Sequence, residues 1–156
     1  MSVVLINESS AERVLLLQAG QFRFALPLDG VIHAYPSCIV DPAGVDDPRI
    51  AGIVPVGSRV LPVIDVGYLA SGHRSELTAD QAFLECASPA GPVLLWLDEI
   101  GDIALIREIV EVNVPAAGAV GLERAVISGG EVWLLRDVGA FVTADLAELC
   151  ATVAAS

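Results

Sequence analysis

Val60-Leu61-Pro62-Val63-Ile64-Asp65-Val66-Gly67-Tyr68-Leu69 is matched by Val132-Trp133-Leu134-Leu135-Arg136-Asp137-Val138-Gly139-Ala140-Phe141, each pair 72 residues apart. Both stretches read as a short apolar strand, an Asp, Val-Gly and a following apolar position. Just upstream, Val54 pairs with Val126 and Gly57 with Gly129 at the same spacing. A second match sets Leu26-Pro27-Leu28-Asp29-Gly30-Val31 against Leu95-Trp96-Leu97-Asp98-Glu99-Ile100, 69 residues apart. The small change of spacing fits a change in loop length. The shared order of the matches implies two similar β units in tandem. A curled sheet of about five strands is too small to hold a full core alone. Two such units are therefore expected to pack face to face and share apolar side chains, with a binding groove between them.

Outward from the repeat, short β-branched runs alternate with Gly, Pro and Asp. Residues 13–19 and 22–28 flank Gly20-Gln21 and predict a hairpin. Phe22, Phe24, Leu26 and Leu28 alternate with Arg23, Ala25 and Pro27, the period of a half-buried strand. Residues 31–35 predict another strand or a short helical turn, and 36–48 a loop rich in Pro, Asp and Gly. Strands follow at 51–56 and 59–66 around Gly57-Ser58, then a polar connector at 71–80. Further strands are expected over 81–87, 92–98 and 102–112, with turns at 88–91 and 99–101 and a loop at 113–121. Residues 124–128 and 131–137 predict a hairpin across Gly129-Gly130. Leu146, Leu149, Cys150 and Val153 form one apolar helical face, with Thr143 as N-cap and Asp145 in the first turn. The expected organisation is one domain over 1–156. Its first unit spans 13–70, its second 81–137, and a C-terminal helix and tail 138–156, with strand exchange between the units left open.

The chain has 156 residues, enough to bury roughly 70% of its unfolded surface without a disulfide or metal. Twenty acids against eight bases give a net charge of -12, and every base is Arg. The lack of Lys excludes Schiff-base chemistry and a P-loop lysine. The charge argues against nucleic acid and anionic membranes, which need a cationic footprint. A hydrophobic fraction of 54% and a mean hydropathy of +0.68 raise the question of a membrane span. Apolar runs such as 14–17, 92–97 and, with its glycines counted, 116–122 fall far short of the about 20 residues a span needs. The N-terminal MSVVLINESSAER has no basic n-region and does not read as a signal peptide, so a cytoplasmic location is expected.

Cys38, Cys86 and Cys150 form no CxxC and read as reduced hydrophobes. Asp29, Asp65, Asp98 and Asp137 are repeat-related strand ends suited to bonding turn N–H groups. His33 and His73 lie at no metal-ligand spacing, so no metal is expected. GxSxG, GxGxxG and Walker A motifs are all absent. Trp96 and Trp133 read as packing residues. Asp98, His33 and Trp96 are the candidates if the groove served a small ligand or catalysis.

Taken in order, the residues resemble the CheW domain of bacterial chemosensory systems, from about Arg13 to Leu149. Phe24-Ala25-Leu26-Pro27-Leu28-Asp29-Gly30-Val31 is similar to the family's Y-G-I-x-I-x-x-V. Ile50-Ala51-Gly52-Ile53-Val54 through Leu61-Pro62-Val63-Ile64-Asp65-Val66 is similar to hxGhhNLRGxhhPhhDL, where h is apolar. Residues 93–97 with Asp98-Glu99-Ile100-Gly101-Asp102-Ile103 are similar to GhhVDxVxDV, and 132–135 with Asp137-Val138 to hhhLLDh. The resemblance implies a mainly all-β fold: two tandem five-stranded SH3-like barrels sharing a core, plus the C-terminal helix. It implies a non-catalytic adaptor without cofactor. CheW-like domains couple chemoreceptor tips to the histidine kinase CheA by binding that kinase's own CheW-like domain. Carried over by position, Ile50 and Gly52 would face the kinase. Val31, His33, Val54, Val56, Gly57 and Arg59 would line the receptor groove.

The chain departs from the family where NLRG becomes Pro55-Val56-Gly57-Ser58, with Arg59 two residues beyond the usual Arg, and where Glu-Ile becomes His33-Ala34. An acidic and a basic family position are thus lost together, as expected of a pair. Pro55 suits a strand edge or bulge. The departures keep open a kinase-binding decoy that lacks receptor binding, beside the reading as a small β-barrel ligand-binding protein or enzyme.

Overall fold

The structure, a computed structural model, describes residues 3–5, 12–116 and 119–154. The N-terminal part runs β1 (Val3–Leu5), β2 (Arg13–Ala19), β3 (Phe22–Pro27), a 3-10 turn (Leu28–Gly30) and β4 (Val31–Pro36). Next come β5 (Ile50–Val56), β6 (Arg59–Asp65), α1 (Val66–Ser71), β7 (Ala82–Ser88) and β8 (Gly91–Leu97). The chain closes with β9 (Glu99–Leu105), β10 (Glu108–Ala116), β11 (Ala119–Ser128), β12 (Glu131–Leu135), α2 (Val138–Phe141) and α3 (Ala144–Ala154). The fold is mainly β. One sheet has seven strands in the order β1-β10-β11-β12-β3-β2-β9, and the other five in the order β4-β7-β8-β6-β5.

The repeat sets this topology. Most neighbours are antiparallel, but β6 lies parallel to β8 (Val63 beside Leu94) and β12 parallel to β3 (Leu134 beside Phe24). The repeated strands β6 and β12 thus make equivalent joints. The series β4-β7-β8-β6-β5 reads as β9-β2-β3-β12-β11, and β10 and β1 extend only the second series. Sheet membership cuts across the expected 13–70 and 81–137 division. Residues 13–27 pair with 99–135, while 82–97 join 31–65. The cause lies at the second match: the 3-10 turn at Asp29 carries the chain out of one sheet, and Asp98 carries it back. The expected five strands in the second unit become seven for the added pair.

Three local expectations also change. Residues 99–101 are not a turn but the start of β9. Residues 102–112 are not one strand, because Ile106 turns inward, is buried, and donates its N–H to the Glu12 carbonyl. Residues 113–121 continue as strand through Ala116 and from Ala119, paired as Asn113 with Leu122 and Pro115 with Val120; 117–118 lie outside the described residues. Cross-strand pairing there overrides the weak strand preference of Gly, Ala and Pro.

Three apolar clusters explain the hydrophobic fraction. Leu15, Leu17, Phe24 and Leu26 of one sheet meet Ile64, Leu84, Leu95 and Leu97 of the other in a shared core. On the far side of the five-stranded sheet, Val54, Leu61, Val63, Phe83, Leu94 and Trp96 form a core of their own. Val14, Leu16, Ala25, Ile106 and Val126 do so for the second unit. A strand buried on both faces reads as an unbroken apolar run, which is why Val93-Leu94-Leu95-Trp96-Leu97 does not alternate. From α3, Leu146, Ala147 and Cys150 cover the shared core, with Leu149 packed against it. The Thr143 hydroxyl donates to Asp145 (2.6 Å), and Arg49 bridges Asp145 (2.9 Å) and Asp47 (2.8 Å), pinning the start of α3 to the loop before β5. Thr143 and Arg49 together lower the Asp145 carboxyl to about 2.

Candidate functional site

The β5–β6 hairpin turns on Gly57-Ser58, with Val56 opposite Arg59 and Gly57 at a φ of 61°. That tight turn points Arg59 across the mouth of the first unit. There it meets Glu85 of β7, a carboxylate only 1% exposed. Arg59 Nη1 donates to Glu85 Oε2 (2.9 Å), Arg59 Nη2 to Oε1 (3.3 Å), and the Tyr35 hydroxyl to Oε1 (2.9 Å). One buried acid therefore links the edge strand β4 to β6 across the unit. The Arg59 guanidinium, and secondarily the Tyr35 hydroxyl, hold the Glu85 carboxyl below the usual range against the opposing effect of burial. Glu85 in turn raises Arg59 and Tyr35. The Arg59 side chain stays 48% exposed. The His33 ring lies 4.6 Å from the Tyr35 ring, and His33 is exposed directly opposite Glu85 in the β4–β7 register.

His33, Val56, Gly57 and Arg59 are therefore gathered at this end. Val54 is not displayed with them, because it points into the first unit's own core. Val31 is turned away as well: a bulge between Val31 and His33 flips the strand, and Val31 packs against the shared core. Ile50 and Gly52 are also buried rather than displayed. Ile50 enters the shared core. At Gly52, φ is 154° and a Cβ would lie 2.1 Å from the Asp41 carbonyl oxygen. The loop before β5 crosses here, exchanging hydrogen bonds between Asp41 and Ile53 of 2.9 and 2.8 Å. With Ile53 engaged and Pro55 lacking an N–H, the outer edge of β5 is largely closed to strand pairing. Tyr35 and Glu85 escaped the sequence reading. The available signal was Glu85 itself, a charge inside Phe83-Leu84-Glu85-Cys86, where both strand faces are buried.

The trio Asp98, His33 and Trp96 is not assembled. Asp98 accepts from the Gly20 N–H and from Gln81 Nε2 (3.0 Å), and Gln81 Oε1 accepts from Trp96 Nε1 (3.0 Å). His33 lies with Tyr35 instead. Of the four strand-end carboxylates, Asp65 and Asp137 cap the turn that follows and Asp98 bonds the distant Gly20 turn, while the 3-10 turn at Asp29 has no side-chain cap bond. Asp65 accepts from the N–H groups of Tyr68 (3.0 Å) and Ser75 (2.8 Å) and from the Ser75 hydroxyl, and Asp137 from the Ala140 N–H (3.0 Å). A cavity of about 380 Å³ opens where the sheets adjoin, lined by Leu26, Pro27, Asp29, Ala87, Asp137 and Val138 among others. Cys86 and Cys150 are buried free thiols, which burial pushes up to about 12 and about 11; Cys38 is free and exposed. Among the described residues no three metal-ligating side chains cluster, and no helix is long and apolar enough to cross a membrane.

No family model and no curated protein matches this chain. Among solved structures it is similar to the scaffolding protein TtCheW from Thermoanaerobacter tengcongensis, with a TM-score of 0.71 and 13% sequence identity over 87% of this chain and 95% of that one. At that identity the likeness shows the fold, and the fold is CheW-like.

Proposed function

We propose that this chain is a non-catalytic chemosensory adaptor of the cytoplasm, coupling a CheA-like histidine kinase to chemoreceptors. The CheW-like fold, shared over nearly the whole length with a scaffolding protein, carries this reading. In it the kinase contributes its CheW-like regulatory domain, and a receptor tip meets the end of the first unit that bears His33, Val56, Gly57 and Arg59. Arg59, held as a half-exposed cation near the family's Arg position, favours receptor binding over the decoy reading. Titration calorimetry tests it, with the CheW-like domain of a CheA-like kinase and a chemoreceptor tip from the same source as titrants. Saturable heat with both at micromolar concentrations is expected; no heat with either at tens of micromolar overturns the reading.

A further inference from the structure

We infer that the cavity at Asp29 and Asp137 receives an extended segment of a partner chain, one that brings a hydroxyl and amide donors as this chain's own connector at residues 72–81 does. The cavity shares no lining residue with the end of the first unit that bears His33 and Arg59. Its counterpart lies in the other repeat. Asp29 answers to Asp98, Asp137 to Asp65 and Gly139 to Gly67, and Ser88-Pro89 after β7 answers to Ala19-Gly20 after β2. The fold therefore builds this corner twice. At Asp65 and Asp98 the corner is filled by the connector, and Arg74 and Ser75 separate two remaining cavities of about 330 and 200 Å³. Ser75 donates both its N–H and its hydroxyl to Asp65, and Gln81 Nε2 donates to Asp98 (3.0 Å). At Asp29 and Asp137 the corner is one open cavity of about 380 Å³.

The open corner keeps the features that the filled one uses. The Asp137 carboxylate accepts from the Ala140 N–H alone (3.0 Å), and among the described residues the Asp29 carboxylate has no hydrogen-bond partner. A Cβ on Gly67 would lie 2.3 Å from Ser75 Oγ, so the connector needs a glycine beneath it. Gly139 holds the same place, yet only Asp137 Oδ1, at 3.3 Å, comes within 4 Å of a Cβ there. The corner lacks a resident because the two repeats continue differently. After α1 the chain runs on as the connector, whereas after α2 it enters α3 and covers the shared core. Leu26, Pro27 and Val138 give the cavity an apolar floor between its two acceptors. A helix spends its N–H groups on its own carbonyls, while an extended segment keeps them free to donate. The acceptors therefore select an extended segment.

The test is an NMR titration of the full chain with a synthetic peptide of residues 72–81, capped at both ends. Saturable shifts of the Gly30, Val138 and Gly139 amides are expected at millimolar peptide. Asp137→Asn keeps a good helix cap while removing the charge, and is expected to weaken binding about tenfold, the worth of one hydrogen bond to a charged group. A peptide with Ser75→Ala is expected to lose about as much, and to lose little more against Asp137→Asn. Gly139→Ala is expected to abolish binding. If that variant does not fold, Asp29→Asn combined with Asp137→Asn takes its place. Absent shifts, or equal binding by a scrambled peptide, overturn the inference. Shifts confined to Gly20 and Gly67 also overturn it, because the peptide would then be displacing the connector. So does a dimer of the chain alone that Gly139→Ala abolishes, which would make a second copy the occupant.

Discussion

Asp65 and Asp137 stand at the same place in the two repeats, each capping a short helix, yet they are not equally employed. Asp65 is buried and bonds Tyr68 and both the N–H and hydroxyl of Ser75, whereas Asp137 is exposed and bonds Ala140. The ion pairs differ in the same direction. The first unit sets Arg59 on a carboxylate 1% exposed, while the second pairs Arg136 with a Glu123 that is 34% exposed (3.0 Å). Among the described residues the buried polar side chains Asp65, Gln81 and Glu85 all belong to the first unit, and the second unit gains two strands. One repeated pattern thus supports two arrangements: a buried polar pair in the first unit, and simple extension of a sheet in the second.

The largest effect should come from what the units share. Leu95→Ala removes a fully buried side chain from the shared core and should cost about 2–5 kcal/mol. Trp96 lies in the first unit and Trp133 in the second, so single-Trp variants report each unit during urea unfolding. Coincident shifts of both midpoints are expected; separate transitions would break the picture of a common core.

Next in size is the contrast of ion pairs. Arg59→Leu leaves the Glu85 carboxylate buried without its cation and should destabilise by about 1–3 kcal/mol. Arg59→Leu with Glu85→Leu should recover much of that loss, since an apolar pair carries no desolvation cost. Arg136→Leu should cost about 0–1 kcal/mol, because its partner keeps access to water. Equal losses at Arg59 and Arg136, measured by denaturant midpoints, would erase the difference between the units.

The caps come third. Loss of a cap costs about 0.5–2 kcal/mol, and Asp65→Ala should fall at the upper end and Asp137→Ala at the lower. The reverse order in thermal melts would contradict the bonding described for the two residues.

The smallest effect is on the pH profile. Glu85, Asp47 and Asp145 are held below their ordinary values in the folded chain, so the unfolded chain binds protons first as pH falls. Their stabilisation is complete above the usual carboxylate range, is lost as pH drops from about 4.5, and at Asp145 is gone near 2. Asp145→Asn should therefore flatten the decline in urea midpoint between pH 5 and 3. An unchanged slope would show that the Arg49 bridge does not survive in solution.

Much of the fold was legible from the chain. Gly20-Gln21, Gly57-Ser58 and Gly129-Gly130 marked hairpins because two-residue turns demand such residues, and the repeat announced two units. Asp65 and Asp137 were legible as caps, since capping is a bond over three residues. The site was less so. His33, Val56, Gly57 and Arg59 came together, but the bulge at Val31 and the loop over Gly52 reversed the exposure of Val31 and Gly52. A bulge inserts one residue and flips every side chain beyond it, and nothing in a local pattern counts that residue.

The amino-acid sequence by itself determined most of the local elements: the majority of the strands, the three two-residue hairpin turns, the caps at Asp65 and Asp137, the apolar face of α3 and the twofold repetition. These depend on interactions a few residues apart, which spacing records directly. Only the tertiary structure decided that β2 and β3 complete the second unit, that β7 and β8 complete the first, and that Glu85 meets Arg59. Two repeats with similar strands offer similar edges, so local pattern cannot choose between them. The choice falls to long-range packing of the shared core, and a buried charge reveals its partner only once distant strands are laid side by side.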